Sequence, residues 1–217
     1  YRTEWKQYAD HIKADETYNE DKDILTVTVT EPNTLGKALG LELKTSYDRT
    51  ATKLNLTGVR GDFSRISRLK VVGPIGALDI DLLRYMAGYA GWCFTRNYPG
   101  QLSYIDLYDA NIVKDDYNYV LSTEVKDWHG TRNPGYSYVE DNELPYHAFL
   151  RAQNLQTLIL PKTCKKVNAR ALQECEGMET LVLGDDMEDF NWNALDDNAM
   201  LTRMYILAKR KVEISTQ

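Results

Sequence analysis

Residues 144–206 read LPYHAFLRAQNLQTLILPKTCKK (144–166), VNARALQECEGMETLVLGDDMED (167–189) and FNWNALDDNAMLTRMYI (190–206), three lines that align at a shift of 23 residues. Leu144, Val167 and Phe190 share one column, Ala148, Ala171 and Ala194 a second, and Phe149, Leu172 and Leu195 a third. Leu155, Met178 and Leu201 form a fourth, Leu158, Leu181 and Met204 a fifth, and Leu160, Leu183 and Ile206 a sixth. All 18 positions are apolar in a chain that is 43% apolar. For a fixed register that outcome has a chance on the order of 10⁻⁷, so a tandem repeat is the better explanation.

Each unit carries an L-x-x-L-x-L strand after a tight A-[FL] turn, too short to bury its own apolar side, so the units must stack. Strand side chains alternate, which puts Leu158 and Leu160 on one face and Ile159 on the other. A 23-residue step has room for one strand, a turn and a short return, so neighbouring strands run parallel. The implied fold class is α/β: a right-handed solenoid with a parallel β-sheet. The strand phrase recurs upstream as Ile66-x-x-Leu69-x-Val71 and Leu102-x-x-Ile105-x-Leu107, making five coils of one sheet.

Ahead of these lies a strand-and-helix cap. Ile24 to Thr30 alternates β-branched residues with threonine, and Glu31-Pro32-Asn33 breaks it. Asn33 or Thr34 is placed to cap a short helix through Leu35 and Leu39 that Gly40 closes. Asp79 is placed to cap a helix carrying Ile80, Leu83 and Met86 up to Gly88. Residues 1–23 are polar, with Trp5, Tyr8 and Ile12 at helical spacing, and read as a loose helix and linker. The domain at 24–217 then divides into a cap (24–65), irregular repeats with an insertion (66–141), regular repeats (142–207) and an end (208–217). The insertion proper, 108–141, is rich in Asn, Asp, Gly and Pro, and reads as an elaborated loop with a small hairpin.

Composition narrows the function classes. With 217 residues and no unbroken apolar run of membrane-spanning length, the chain reads as an ordinary globular domain. The formal charge of −6 has the wrong sign for holding a phosphate backbone, which argues against nucleic acid. Cys93, Cys164 and Cys175 form no C-x-x-C, so neither a zinc site nor a disulfide framework is legible. Tyr1 opens a polar stretch in which no export signal is visible.

The segment 144–184 resembles the 23-residue unit of BspA-like leucine-rich-repeat surface proteins of Bacteroides-type bacteria, roughly I-x-x-x-A-F-x-x-C-x-x-L-x-x-I-x-L-P. Val167, Ala171, Leu172, Cys175, Met178, Leu181 and Leu183 match it, as do Ala148, Phe149, Leu155, Leu158, Leu160 and Pro161. LKVVGPIGALDIDLLRYMAG and LSYIDLYDANIV are similar to phrases near the amino terminus of such proteins, and ILTVTVTEPNTLGKAL to their opening cap. The third unit departs from the pattern, with Asn198 in the Cys175 column and Leu207 where proline or glycine is expected. After Ile206 only Val212 and Ile214 remain apolar, so a capping strand or a pairing partner is expected at that end. The resemblance implies export to the cell surface, a lipid anchor being possible in a missing amino terminus, and a role in adhesion or interaction.

Outward strand positions form the expected surface for a protein or glycan partner. Arg68, Tyr104, Thr157, Thr180 and Arg203 make one row, and Lys70, Asp106, Ile159, Val182 and Tyr205 the other. Ile159, Val182 and Tyr205 would form an apolar patch, although β-branched residues are also simply good strand formers. Trp128, beside His129 in the insertion, can stack on a sugar or pack its own loop. Tyr104, Asp106, Trp128, Ile159, Val182, Arg203 and Tyr205 are therefore the partner-binding candidates.

Other constellations read blandly. Asp185, Asp186, Glu188, Asp189, Asp196 and Asp197 match no EF-hand phrase and are expected to be solvated turn charge. Asn55-Leu56-Thr57 reads as strand rather than glycan acceptor. A Cys164–Cys175 bridge has no support, and Cys175 reads as a buried turn residue. No nucleophile-elbow, zincin or phosphate-loop phrase occurs, so no catalytic residue, metal ligand or cofactor site is assigned. The expectation is a non-enzymatic binding or adhesion module, secreted or at the cell surface. The alternatives are a structural spacer of an envelope complex and a carboxylate-based glycan or peptide hydrolase.

Overall fold

The computed structural model describes residues 24–48, 53–89, 100–115, 119–120, 136–137 and 139–215. In chain order the elements are β1 (Leu25–Thr28), α1 (Leu35–Ala38), β2 (Glu42–Asp48), β3 (Lys53–Arg60), β4 (Arg68–Ile75), α2 (Ala77–Met86), β5 (Tyr104–Asp106) and β6 (Ala110–Ile112). They continue as β7 (Tyr119–Val120), β8 (Tyr136–Ser137), β9 (Glu143–Leu144), β10 (Thr157–Ile159), β11 (Lys166–Val167), β12 (Thr180–Leu183), β13 (Asp189–Asn191), a 3-10 turn (Trp192–Leu195), β14 (Arg203–Ile206) and β15 (Glu213–Ser215). The fold is α/β, with mostly parallel sheets and few helices.

The larger sheet runs β1-β4-β5-β10-β12-β14, all parallel, with β6 beside the far end of β4. Its register follows the sequence columns: Leu69, Ile105, Leu158, Leu181 and Met204 lie side by side on successive strands. β1, read from sequence as part of a cap, is the edge strand of this same sheet, pairing Val27 with Val71. A second parallel sheet, β9-β11-β13-β15, aligns Leu144, Val167, Phe190 and Ile214. It was not anticipated as a sheet: two-residue strands leave no run long enough to show alternation.

Between the sheets the turns also bond from unit to unit. Phe149 N–H donates to Ala171 O (2.7 Å), and Leu172 N–H to Ala194 O (3.0 Å), so the alanine column is a line of backbone contacts. Left-handed residues repeat with the same period: His147 and Arg170 in one column, and Arg151, Glu174 and Asp197 in another. Close approach explains Gly184 too, because a Cβ there would lie 2.0 Å from the carbonyl oxygen of Pro161 in the preceding unit.

The amino-terminal elements are tied together at the start of α2. Asp79 is not the cap residue; it is the third residue of the helix, and its carboxylate reaches back to accept Gly76 N–H (3.1 Å). The same carboxylate accepts Asn33 N–H (2.6 Å) and Leu35 N–H (2.9 Å), holding α1 against α2. Asn33 Oδ1 takes Leu78 N–H, and Asp115 takes Ala77 N–H, both at 2.8 Å. Orphan donors of the helix start are thus shared among three side chains. Burial pushes the Asp79 carboxyl above the usual carboxylate range, against the pull of these hydrogen bonds. Gly73, at φ +102°, lets the end of β1 approach: a Cβ would sit 2.1 Å from Val29 O.

All six apolar columns of the first two units are buried to within 1% exposure, and so are Leu69 and Val71 of β4 and Ile105 of β5. The sequon falls within β3, as expected of a strand. Within the insertion β7 and β8 pair antiparallel, and the residues between them lie outside the described ones. The amino-terminal segment 1–23, Cys93, Trp128 and His129 lie outside the described residues.

Candidate interaction surface

The register of the larger sheet lays the two side-chain rows across five strands. Arg68, Tyr104, Thr157, Thr180 and Arg203 are consecutive neighbours, as are Lys70, Asp106, Ile159, Val182 and Tyr205. Their inward neighbours Leu69, Ile105, Leu158 and Leu181 are fully buried, which fixes these rows on the opposite face. Six of the seven partner-binding candidates therefore share one surface. Tyr104, Asp106, Ile159, Val182 and Tyr205 are half-buried by their neighbours, while Arg203 is exposed.

Chemistry varies along the surface. At the β4–β5 end, the Arg68 guanidinium lies 4.2 Å from the Tyr104 ring centroid, a cation–π pair. Lys70 Nζ bonds Asp109 Oδ2 (2.8 Å) and lies 3.7 Å from Asp106 Oδ2. Toward β14 the row becomes apolar through Ile159 and Val182, then amphipathic at Tyr205. Arg203 Nη2 pairs with Glu179 Oε2 at 3.6 Å.

A charged rim at the carboxyl ends of the strands was missed from sequence. Asp109 links Lys70 to Lys162, whose Nζ lies 3.4 Å from Asp109 Oδ1, while the Tyr108 hydroxyl donates to Asp185 Oδ1 (2.9 Å). Hydrogen bonding from Lys70 holds the Asp109 carboxyl below its ordinary range, and the same bond raises Lys70. The Asp185 bond raises the Tyr108 phenol. Asp106 Oδ1 accepts Tyr108 N–H (2.9 Å), turning the chain after β5. The D-L-x-D-A phrase at 106–110 carried the signal: its two aspartates serve a turn and a cross-strand ion pair.

The remaining candidates have structural surroundings. Cys164 and Cys175 are buried free thiols, each pushed up to about 12 by burial. Cys175 Sγ–H donates to Phe149 O (2.9 Å), and in the next unit Asn198 Nδ2 donates to Leu172 O (2.8 Å), the same column of acceptor. The departure from cysteine thus preserves the hydrogen bond. His147 is buried in the first unit's turn, and burial, reinforced by Arg170, Arg84 and Arg151, lowers it to about 3. Asp189 Oδ1 accepts the Ser215 hydroxyl (2.9 Å), and among the described residues no three His, Cys, Asp or Glu side chains gather to hold a metal ion. No helix of the described residues is long and apolar enough to cross a membrane. No family model matches the chain, and no curated protein matches it.

Proposed function

We propose that the chain is a right-handed leucine-rich-repeat solenoid of the BspA-like kind, acting without cofactor or catalysis as a binding module. It would be secreted or held at a bacterial cell surface, recognising a protein or glycan through the outward sheet face and the 108–141 insertion. The observation that carries this reading is the pair of side-chain rows, five residues each across five parallel strands. Such a surface offers aromatic, cationic and apolar groups on a scaffold whose spacing the backbone sets, so little side-chain ordering remains to be done on binding. The 23-residue register supports the repeat reading.

Screening the chain against glycan and extracellular-matrix protein arrays tests the proposal. Tyr104→Ala and Tyr205→Ala are expected each to weaken a recovered ligand at least about tenfold, as aromatic anchors do. Unchanged binding by both variants would remove the sheet face from the account. Silence of the wild-type chain across both arrays would shift the reading to a structural spacer.

A further inference from the structure

The outward face of the larger sheet is divided by its own side chains. Tyr104 on β5 and Tyr205 on β14 stand on either side of β10 and β12, whose outward residues are Thr157, Ile159, Thr180 and Val182. None of these four is charged or larger than isoleucine. Thr180 is only 9% exposed, so the longer side chains around it already shelter this floor. At the carboxyl ends of the strands the Tyr108 hydroxyl reaches past β10 to donate to Asp185 Oδ1 (2.9 Å), and Lys162 Nζ lies 5.9 Å from the Tyr108 ring. The floor therefore has aromatic walls on two sides and a hydrogen-bonded rim on a third.

Size selects the class of occupant. Three strand spacings, about 14 Å, separate the strands that carry Tyr104 and Tyr205, and the three-residue β10 is about 10 Å long. The enclosed area is on the order of 150 Å², against about 800 Å² on each side of a stable protein–protein interface. Side chains set these boundaries, not the extent of the sheet.

Charge narrows the class. The cations of the face are already matched, Lys70 by Asp109 (2.8 Å), Lys162 by the same carboxylate (3.4 Å) and Arg203 by Glu179 (3.6 Å), while Arg68 lies over the Tyr104 ring. A polyanion would compete with these carboxylates, and a basic ligand with these cations. A neutral hydroxyl displaces neither, because it donates and accepts at once and can use lone pairs that the ion pairs leave over.

We propose that this floor takes a short neutral oligosaccharide, an inference that rests on the reading of the sheet face as a binding surface. The apolar faces of the sugar rings pack on Tyr104 and Tyr205, and their hydroxyls bond the Thr157 hydroxyl and the carboxylate rim. A few polar groups thereby orient a ligand that is held mainly by apolar and aromatic contact.

Binding titrations of the 217-residue chain with short neutral oligosaccharides of glucose, galactose, mannose and xylose, with heparin and collagen alongside, test it. At least one neutral oligosaccharide is expected to bind, with an affinity indifferent to salt. Ile159→Arg and Val182→Arg fill the floor from outward positions, and each is expected to weaken that binding at least about tenfold with the melting curve unchanged. A neutral oligosaccharide held equally by both variants overturns the proposal. Heparin or collagen held in its stead, and lost in the same two variants, also overturns it but leaves the face a binding surface. Retention of none of the probes overturns both readings.

Discussion

The second and third repeat units have the same apolar columns and opposite fates. Val167, Ala171, Leu172, Met178, Leu181 and Leu183 are buried, whereas Phe190 and Ala194 alone keep that burial in the next unit. Leu195, Leu201 and Met204 are half-buried, and Ile206 is exposed. Nothing in the residue types accounts for this, since leucine and methionine occupy both. What differs is position: among the described residues the second unit has a strand neighbour on each side in both sheets, whereas the third keeps one on its far side only where β15 pairs with β13, and β14 is an edge strand. In a stacked fold the neighbour supplies the burial, and a column residue contributes according to how many neighbours it has.

Substitutions within one column separate the two regions most sharply. Leu158→Ala is expected to cost about 3–5 kcal/mol, the penalty for a buried cavity that cannot collapse, and Met204→Ala only about 1–2 kcal/mol. Urea titration of both variants measures the difference, and equal losses would contradict the comparison.

Next in size is the response to acid. His147 sits in the interior of the first unit, in the column that holds Arg170 and Asn193 in the following ones. Its folded value of about 3 lies below the unfolded value of 6.5. Below pH 6.5 the unfolded chain therefore takes up a proton that the folded chain refuses, and stability falls by about 1.4 kcal/mol per pH unit. The loss at pH 4.5 is expected to reach about 2–3 kcal/mol, and His147→Gln flattens the profile. Asp79 has the opposite sign, because its raised folded value makes the native state bind its proton more tightly as pH falls. Asp109, depressed by Lys70, loses its contribution only as pH drops below the unfolded aspartate value of about 3.9, beneath this window. Denaturant titrations at pH 7, 5.5 and 4.5 provide the check.

The smallest contrast lies in the Cys175–Asn198 column. Cys175→Ala removes one of two donors to the buried Phe149 carbonyl, which Ala152 N–H still serves at 3.0 Å, and leaves a small void in the packed turn, so a cost of about 1 kcal/mol is expected. Asn198→Ala also removes a donor, but it relieves a buried amide oxygen that has no partner, so a change within about 0.5 kcal/mol is expected. A larger loss at Asn198 than at Cys175 would show that the terminal unit is the better packed.

Much of this was legible in the sequence because the repeat is long and its columns are strict. The period, the inward Leu158 and Leu160, the outward Ile159 and the two side-chain rows all follow from alternation and a 23-residue shift. The second parallel sheet was not, because Glu143–Leu144 and Lys166–Val167 are too short to display a strand period. The Asp109–Lys162 link was hidden as well: its partners are separated by 53 residues and fall outside the repeat columns. Asp79 was correctly tied to the start of a helix, yet its reach to Asn33 and Leu35 depends on tertiary packing that no local signal carries.

Disulfide trapping across β10 and β12 tests the in-register stacking most directly. Thr157 and Thr180 are register partners on neighbouring strands, and parallel neighbours lie about 4.8 Å apart, inside the range a disulfide accepts. Thr157→Cys with Thr180→Cys is predicted to cross-link readily on mild oxidation, whereas Thr157→Cys with Tyr205→Cys, two strands away, does not within one molecule. Single-cysteine variants control for the native thiols. Failure of the first pair, or equal cross-linking by both, would contradict the stacking of one 23-residue unit on the next.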